Sequence, residues 1–366
     1  MLTRRGILTG GAAIMAVGGA GAMLSMRLAS DRYTSFARQL REPLKPSAAS
    51  RDLIRYATLA ASGHNTQPWL FRESAQAIAV VPDFTRRTPV VDPDDHHLYV
   101  SLGCAIENLA IAARATGRSG EVAVEGEGGA TFSFSLQPGT TDPTAAELFQ
   151  AIPLRQSTRS EYDGRPVPLD HLERLSNSAA IEGVDVVLLT ERSTIDQVRD
   201  LVIAGNDLQM ADAAFLRELK DWLRFSPSAA MKRGDGLYAP ASGNPPLPEW
   251  LGPIAFDLAF RPASEADKYA RHMDSSAGVA VFAARNEGPA GWIAVGRACQ
   301  RFCLTTTALG LKTAFVNQPV EVAELRDDMA ALAGFGERRT DIVLRFGRAP
   351  AMPYSPRRPV DTVLTT

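Results

Sequence analysis

Two short stretches, far apart in the chain, carry residue types that bind anions and polar ligands. Arg155-Gln156-Ser157-Thr158-Arg159 alternates guanidinium groups with hydroxyls and an amide, and Ser62-Gly63-His64-Asn65-Thr66-Gln67-Pro68-Trp69 is a polar turn with a rigid exit. An arginine fork binds phosphate through paired charge-assisted hydrogen bonds, and a serine hydroxyl adds a donor. Taken alone, the first stretch is much more typical of a surface loop with ordinary salt bridges. The second is equally typical of a tight turn whose asparagine caps its own backbone.

Together the two stretches resemble the two halves of the flavin mononucleotide (FMN) site of the nitroreductase family. In that family an Arg-x-Ser-x-Arg/Lys stretch opens the domain, and a Pro-Ser-x-x-Asn-x-Gln-Pro-Trp stretch follows and reaches the flavin across a dimer interface. In this chain the order is inverted. The resemblance covers residues 47–362, and it implies one FMN per chain, held by a monomer that imitates the family dimer.

The resemblance also implies roles for individual residues. It assigns Arg155 and Ser157 to the flavin phosphate and Arg159 to the N1/O2 edge of the ring, where a cation favours the reduced anion. The segment Phe315–Pro319 resembles the one whose backbone N–H faces flavin N5, and Arg357 or Arg358 resembles the arginine that closes over the phosphate. The implied cofactor-binding residues are Arg155, Gln156, Ser157, Arg159, Ser62, Gly63, His64, Asn65, Gln67, Asn317, Gln318, Arg357 and Arg358.

Each half of the chain has only one side of this site. The first unit, residues 31–143, has no Arg-x-Ser-x-Arg stretch, since Arg38–Leu44 is the nearest candidate and lacks the pattern. The second unit, residues 144–366, has no Asn-x-Gln-Pro-Trp stretch. Each unit contains one long apolar helix, predicted at 98–116 and 289–309, and their sequences align at Gly103 and Gly296. These features favour an internal duplication.

The pattern of elements predicts an α+β, nitroreductase-like fold. Short strands that alternate apolar and polar residues surround the long helices, whereas strict βαβ alternation and a glycine-rich first turn are absent from the sequence pattern. We therefore expect two tandem related units, each with an antiparallel sheet flanked by helices. Helical periodicity runs over 193–223, and residues 226–253 are rich in Pro, Gly and Asn, which predicts a loop-like insertion.

The insertion at residues 226–253 is relevant to whether the protein turns over a substrate. Loops of this length in compact domains are usually lids or binding elements, and this one has glycines for hinges and prolines for stiffness. The duplicated, lidded layout resembles the dormancy-associated branch of mycobacterial and related bacteria, for which flavin sequestration is an alternative to nitro reduction. The leading hypothesis is an FMN-dependent oxidoreductase that reduces nitroaromatic or quinone-like small-molecule acceptors with NAD(P)H. The second is an FMN-binding protein with a lid and little turnover.

The first thirty residues are predicted to be a targeting segment. Thr3-Arg4-Arg5-Gly6-Ile7-Leu8 matches a twin-arginine signal, and an uncharged Gly/Ala-rich run follows. This predicts export by the twin-arginine machinery to the periplasm, with Ala20-Gly21-Ala22 as a cleavage signal. The alternative is a membrane anchor formed by residues 6–28.

Other classes of protein are disfavoured. A formal net charge of -2 and the lack of a basic stripe argue against a nucleic-acid partner. Three cysteines give no disulfide framework, and Cys299 and Cys303 are interpreted as small buried apolar residues. Asp94-Asp95-His96-His97 suggests a metal-dependent hydrolase as a third hypothesis. However, adjacent residues do not all face one ion, so an acidic helix N-terminus is the preferred interpretation and no metal is expected.

Overall fold

The computed structural model describes residues 24–45, 48–135 and 143–365. Most of the predicted export signal lies outside these residues, so that prediction is untested. The described residues form two mainly antiparallel sheets flanked by helices, which confirms the predicted α+β class.

The elements are numbered in chain order. The helices are α1 (24–39), α2 (Ser50–Ala57), α3 (His96–Ala115), α4 (Pro143–Ala151), α5 (Leu169–Ser178), α6 (Arg192–Ala211), α7 (Ala213–Trp222), α8 (Pro227–Arg233), α9 (Gly252–Ala259), α10 (Pro262–Asp274), α11 (Pro289–Ala308), α12 (Gln318–Glu321) and α13 (Arg326–Ala333). The strands are β1 (Trp69–Glu73), β2 (Ala77–Pro82), β3 (Gly120–Val124), β4 (Ala130–Phe134), β5 (Val184–Leu189), β6 (Leu223–Arg224), β7 (Leu237–Tyr238), β8 (Gly278–Ala284), β9 (Lys312–Phe315), β10 (Ile342–Gly347) and β11 (Leu364–Thr365).

The two larger sheets have the same internal strand order. The first runs β11-β1-β2-β4-β3 and the second β5-β8-β10-β9. If β11 is left aside, each sheet has four strands, and their spatial order is first, second, fourth, third in chain order. Neighbouring strands are antiparallel. In each unit the long helix lies in the sequence between the second and third strands. Strand β11 comes from the C-terminus and pairs parallel with β1, with Leu364 opposite Phe71. The C-terminal segment therefore completes the sheet of the first unit.

The long helices α3 and α11 cross at Gly103 and Gly296. A Cβ on Gly103 would lie 2.1 Å from the carbonyl oxygen of Ile293, and one on Gly296 would lie 2.0 Å from the carbonyl oxygen of Val100. No side chain fits at either position, so glycine is required for this close approach. Among the described residues, α3 is also the one helix long and apolar enough to span a membrane. It is mostly buried, as a core helix of a globular domain is.

Two predicted elements need correction. The helix expected over 193–223 is interrupted at Asp212, whose carboxylate accepts a hydrogen bond from the backbone N–H of Ala214 and so caps α7. The segment 226–253 is not a continuous loop, because it contains α8 and β7. The hydroxyl of Ser226 caps α8, a proline occupies the first turn, and Gly234 ends the helix with a φ of 68°. A proline just inside the start and a glycine just past the end are helix-boundary signals as well as loop signals.

Candidate functional site

The two predicted stretches meet in one cleft. Two cavities with empty volumes of about 1000 Å³ and about 470 Å³, solvent at their mouths included, share five lining residues: Ala61, Ser62, Arg159, Leu237 and Phe315. We call them the wide cavity and the narrow cavity. Clefts of this size with a few convergent polar groups are typical of cofactor sites. Residues from both predicted units therefore line one site.

Three buried arginines line the narrow cavity. Arg41, Arg155 and Arg357 are 9%, 3% and 4% exposed. In the described part of the chain, none of them forms an ion pair with a carboxylate, and the Nε atoms of all three and Nη1 of Arg155 are buried without a hydrogen-bond partner. Buried guanidinium groups without anionic partners are costly to the fold. The narrow cavity is therefore suited to an anion with several oxygen acceptors, such as a phosphate dianion.

The electrostatics of the narrow cavity lead to the same conclusion. Burial lowers the pKa of Arg41 to about 10, and the charge of nearby Arg155 lowers it further, whereas Tyr354 and Tyr33 oppose the shift. Burial also lowers the pKa of Arg357 well below its usual range, with Arg41 and Arg155 as further causes. The three cations repel one another in a site of low dielectric constant. A bound dianion would relieve this repulsion and stabilise the charged forms.

Side-chain hydrogen bonds hold the C-terminal segment that carries Arg357. The amide of Gln156 donates to the carbonyl of Met352 at 2.9 Å and accepts from the N–H of Met352 at 2.6 Å. The hydroxyl of Tyr33 on α1 donates to the carbonyl of Tyr354 at 2.6 Å, and the guanidinium of Arg41 lies 3.9 Å from the centre of the Tyr354 ring. Segments from both ends of the chain thus close the narrow cavity.

The turn after α2 has unusual backbone geometry. His64, Asn65 and Gln67 have φ values of 45°, 53° and 54°, a region that non-glycine residues seldom occupy. Asn65 is held there by its side chain, whose Nδ2 donates to the carbonyls of Gly236 and Pro356 at 3.0 Å each and whose Oδ1 accepts from Arg357 at 2.8 Å. Strain of this kind persists where surrounding contacts over-determine it, and it is common at functional sites.

Two of the predicted site residues lie outside both cavities. Gln67 is fully buried, and its amide donates to the carbonyl of Gly234 at 2.8 Å and accepts from the N–H of Arg358 at 2.9 Å. The guanidinium of Arg358 bonds the carbonyls of Gln67 and Thr362. Gln67 and Arg358 therefore hold the turn against the C-terminal segment. Of the two C-terminal arginines, Arg357 is the one that lines the cleft.

Arg159 lies at the junction of the two cavities, and His64 lines the wide cavity. The guanidinium of Arg159 has no hydrogen bond or ion pair within the described ranges, and burial lowers its pKa. Burial and the nearby Arg159 lower the pKa of His64 to about 4, and its Nδ1 is buried without a partner. His64 is therefore neutral at pH 7, with one ring nitrogen free to bond a ligand. Arg159 supplies the positive charge at this point.

The remaining predicted residues are distributed over the two cavities. Ser157 lines the narrow cavity, where it forms a parallel bridge with Thr313 at the end of the second sheet. Gly63, Asn317 and Gln318 line the wide cavity. The side chain of Asn317 accepts from the N–H of Val343 at 3.0 Å, and Oε1 of Gln318 is buried without a partner. The structure therefore brings all the predicted residues except Gln67 and Arg358 to the cleft.

The insertion forms part of the wall. Leu237 lines both cavities, and the neighbouring Asp235 binds Arg86 and Arg224 in buried ion pairs. The N–H of Gly236 donates to the carbonyl of Asn65 at 3.1 Å. The side-chain amides of Asn65 and Gln67 donate to the carbonyls of Gly236 and Gly234, so residues 234–237 are tied to the 62–67 turn by backbone and side-chain hydrogen bonds. In the structure they are a fixed part of the site.

Sequence reasoning missed Arg41, His97 and Glu321. Arg41 lies in the segment that lacks the Arg-x-Ser-x-Arg pattern, yet it lines the narrow cavity. His97 and Glu321 line the wide cavity from the first turn of α3 and the end of α12. The pair of adjacent histidines was the available signal for His97, whereas Arg41 and Glu321 lack a local signature.

Asp92, His96 and His97 have ligand atoms within 4.8 Å of one another. The side chains of Asp92 and His96 are already engaged. The carboxylate of Asp92 accepts from the N–H groups of His97 and Leu98, and the ring of His96 bonds Asp341 at 2.7 Å and Arg339 at 3.2 Å. A cationic guanidinium beside the imidazole disfavours a metal cation. This cluster is better explained as the capped N-terminus of α3.

Similarity to known proteins extends over most of the chain. "Putative NAD(P)H nitroreductase Rv3131" of Mycobacterium tuberculosis is 27% identical over 323 residues, which are 86% of this chain and 90% of that protein. "Putative NAD(P)H nitroreductase acg" of the same organism is 23% identical over 326 residues, 86% and 94% of the two chains. No family model matches the chain.

Solved structures align with part of this chain. An FMN-dependent nitroreductase of Mycobacterium smegmatis in complex with NADPH is 13% identical, with a TM-score of 0.38 over 56% of this chain and 88% of that one. A BluB-like flavoprotein from Clostridium difficile is 14% identical, with a TM-score of 0.40 over 60% and 98% of the two chains. Since these overlaps are partial, we base the functional assignment on the residues of the cleft and on the sequence relatives.

Proposed function

We propose that this chain is an FMN-dependent oxidoreductase that reduces quinone-like or nitroaromatic acceptors with NAD(P)H. The observation that supports this most strongly is the narrow cavity, in which Arg41, Arg155 and Arg357 present buried donors without partners. This cavity adjoins the wide cavity, whose lining is both polar and apolar. A mononucleotide with a phosphate at one end and a planar ring at the other matches that pair of cavities. Similarity to proteins named as NAD(P)H nitroreductases supports the same assignment.

Different residues of the cleft would bind the phosphate and the ring of FMN. The three arginines and Ser157 would hold the phosphate, because forked donors and a hydroxyl match its oxygens. Arg159 would neutralise negative charge that develops on the ring, and neutral His64 would bond it without adding charge. Bound FMN would supply the hydride chemistry between nicotinamide and acceptor. The protein orients the cofactor and excludes water from it.

We further propose that the chain is an internal duplication that binds one FMN as a monomer. The repeated strand order, the matching positions of α3 and α11, and the glycine pair at their crossing support this proposal. So does the division of the cleft, since 62–65 and 155–159 come from different units. Mass measurement of the protein in dilute solution tests the proposal, and an obligate dimer would contradict it.

Anaerobic stopped-flow spectroscopy tests the proposed reaction. FMN-loaded protein is first mixed with NADPH or NADH, and the reduced protein is then mixed with a 1,4-benzoquinone or a nitroaromatic compound. We expect loss of the oxidised flavin absorbance in the first step and its return in the second. Protein that binds FMN but is not reduced by either nucleotide would contradict the reductase proposal.

The second candidate function is FMN sequestration. The position of Leu237 in the wall of both cavities favours it, because a bulky side chain at that point would restrict access of nicotinamide to the ring. Leu237→Ala separates the two functions. Under sequestration the variant should retain FMN and be reduced by NADPH faster than the wild type, whereas equal rates would argue against the restricting wall. Leu154→Ala, at an exposed site outside the cleft, is the control.

We also propose export through the twin-arginine pathway, on the basis of Arg4, Arg5 and the following Gly/Ala-rich run. Replacing both arginines by lysine should leave folded, yellow protein in the cytoplasm. Unchanged periplasmic or membrane-bound protein in that variant would support the simple anchor formed by residues 6–28.

A further inference from the structure

We propose that His97 and Glu321 form a proton-donating pair for the acceptor in the wide cavity. This inference rests on the proposed oxidoreductase function. A quinone that receives a hydride also needs a proton to leave as a hydroquinone. Neither residue belongs to the stretches that hold the cofactor, and both line the cavity that an acceptor would enter.

The contacts of His97 define its neutral tautomer. Its Nε2 lies 3.3 Å from the carbonyl oxygen of Asp341, and a carbonyl only accepts, so Nε2 carries a hydrogen. In the neutral ring the other nitrogen, Nδ1, then carries a lone pair and no hydrogen. Nδ1 lies 3.9 Å from Oε1 of Glu321. A lone pair opposite an ionised carboxylate is unfavourable. In the proposal, the pair holds one additional proton, either on the carboxyl or on Nδ1.

The surroundings of Glu321 keep that proton available. The other carboxyl oxygen, Oε2, accepts from the amide of Gln209 at 2.7 Å, which fixes the carboxyl while leaving Oε1 towards His97. The Nδ1–Oε1 separation exceeds a hydrogen bond, so the proton is not held in a short internal bond. The two side chains are 10% and 19% exposed, so water can resupply the proton.

Charged and titratable neighbours also affect the pair. Burial raises the pKa of Glu321, and the carboxylates of Asp92 and Glu218 raise it further, whereas His97 and Gln209 lower it. On the imidazole side, the ring of His96 lies 4.6 Å from that of His97 between centroids. The groups that face the pair are Asp92, Glu218, Asp341, His96, His64 and Tyr269. A carboxyl whose pKa is raised by burial is suited to general acid catalysis.

The step balances for a quinone. The acceptor gains a hydride that originates from NAD(P)H. The hydride consists of two electrons and one proton. The second quinone oxygen forms an O–H bond with the proton of the pair, while the Nδ1–H or carboxyl O–H bond breaks. The product is a hydroquinone, and the pair is left with one proton fewer. Solvent water then returns that proton.

Glu321→Gln is the direct test, because an amide still accepts from Gln209 but cannot supply the proton. We expect quinone-driven reoxidation of the reduced protein to slow by about tenfold or more, because general acid catalysis typically contributes about 100-fold or more. Reduction by NADPH should stay within about twofold of wild type, since it needs no proton from the pair. The control is Glu324→Gln, which removes a carboxylate from an exposed position outside the cleft.

Nitrogen-15 NMR of His97 in cofactor-free protein is the second readout. We expect the Nε2–H tautomer when the ring is neutral, and a titration midpoint that moves in Glu321→Gln but not in Glu324→Gln. The proposal would be overturned if Glu321→Gln were reoxidised at the wild-type rate from pH 5 to 9. It would also be overturned if the titration of His97 were unchanged in that variant. Wild-type protein that no quinone reoxidises would instead refute the proposed function, and the NMR titration would still decide whether the pair shares a proton.

Discussion

Arg155 and Arg357 donate to the same backbone carbonyl, that of Leu59, at 3.2 Å each. One arginine follows α4 and the other lies near the C-terminus, and the carbonyl belongs to the turn after α2. A carbonyl shared by two guanidinium groups does not compensate two buried positive charges. Nε and Nη1 of Arg155 and Nε of Arg357 are buried without a partner and are available to a ligand, which is why we assign the phosphate of FMN to this point.

Arg155→Met should separate stability from binding. Without FMN, Arg155 is a buried cation with two unpartnered nitrogens, so an apolar side chain of similar length should raise the free energy of unfolding by about 1 kcal/mol. Affinity for FMN should fall by about 30-fold or more, the scale of a lost charge-assisted bond. Urea unfolding and flavin fluorescence titration measure the two effects. Unchanged FMN affinity would refute the phosphate assignment, and Arg174→Met, at an exposed ion pair, is the control.

Arg41 should couple the N-terminal helix to the cofactor. It follows α1 directly, donates to the carbonyl of Ala37 at 2.9 Å, and lines the narrow cavity. We expect Arg41→Gln to weaken FMN binding by about tenfold, or about 1.4 kcal/mol. Arg38→Gln on the exposed side of α1 should bind FMN as the wild type does. Equal affinities of the two variants would exclude Arg41 from the phosphate site.

His64 should make the cofactor-free protein less stable in acid. Its pKa is lowered from 6.5 to about 4 in the folded state, so the unfolded chain binds the proton more tightly. The stability that neutral His64 contributes is present above about pH 6.5 and is lost as the pH falls to about 4. His64→Gln should therefore show a shallower loss of unfolding free energy over that interval. An identical slope in the variant and wild type would contradict the burial of His64, and His171→Gln on α5 is the control.

The glycine pair at the helix crossing should be intolerant of side chains. A methyl group on Gly103 or Gly296 meets the backbone of the opposite helix, which cannot move without disturbing both cores. We expect Gly103→Ala to lower the free energy of unfolding by about 1–3 kcal/mol, the usual cost of overpacking. Gly128→Ala, where the added methyl would meet only the side chain of Glu125 at 3.4 Å, is the control. Equal unfolding midpoints would indicate that the helices separate readily.

The sequence identified the parts of the site that are local in the chain. The turn at 62–65 and the stretch at 155–159 are contiguous, so their residue types were visible together, and the glycines of α3 and α11 aligned without coordinates. Arg41 and Glu321 could not be found in this way, since they reach the cleft only through packing of α1 and α12. The distinction between Arg357 and Arg358 also required the structure, because neighbouring residues in an extended segment point to opposite sides.

The structure of the insertion at 226–253 could not be predicted from the sequence. Pro and Gly residues over 226–253 predicted a loop-like insertion, but a proline at the start and a glycine at the end bound the short helix α8. The buried ion pairs of Asp235 with Arg86 and Arg224 join residues distant in sequence. Such pairings decide whether a Gly-rich segment is a lid or a wall, and a single sequence does not reveal them.

Titration of cofactor-free protein with FMN, followed by flavin fluorescence and by the mass of the complex in dilute solution, tests the central claim most directly. We predict saturation at about one FMN per chain on a monomer, since residues of both units meet in one cleft. Two FMN molecules per chain, loss of FMN on dilution to the monomer, or no binding at all would contradict the account.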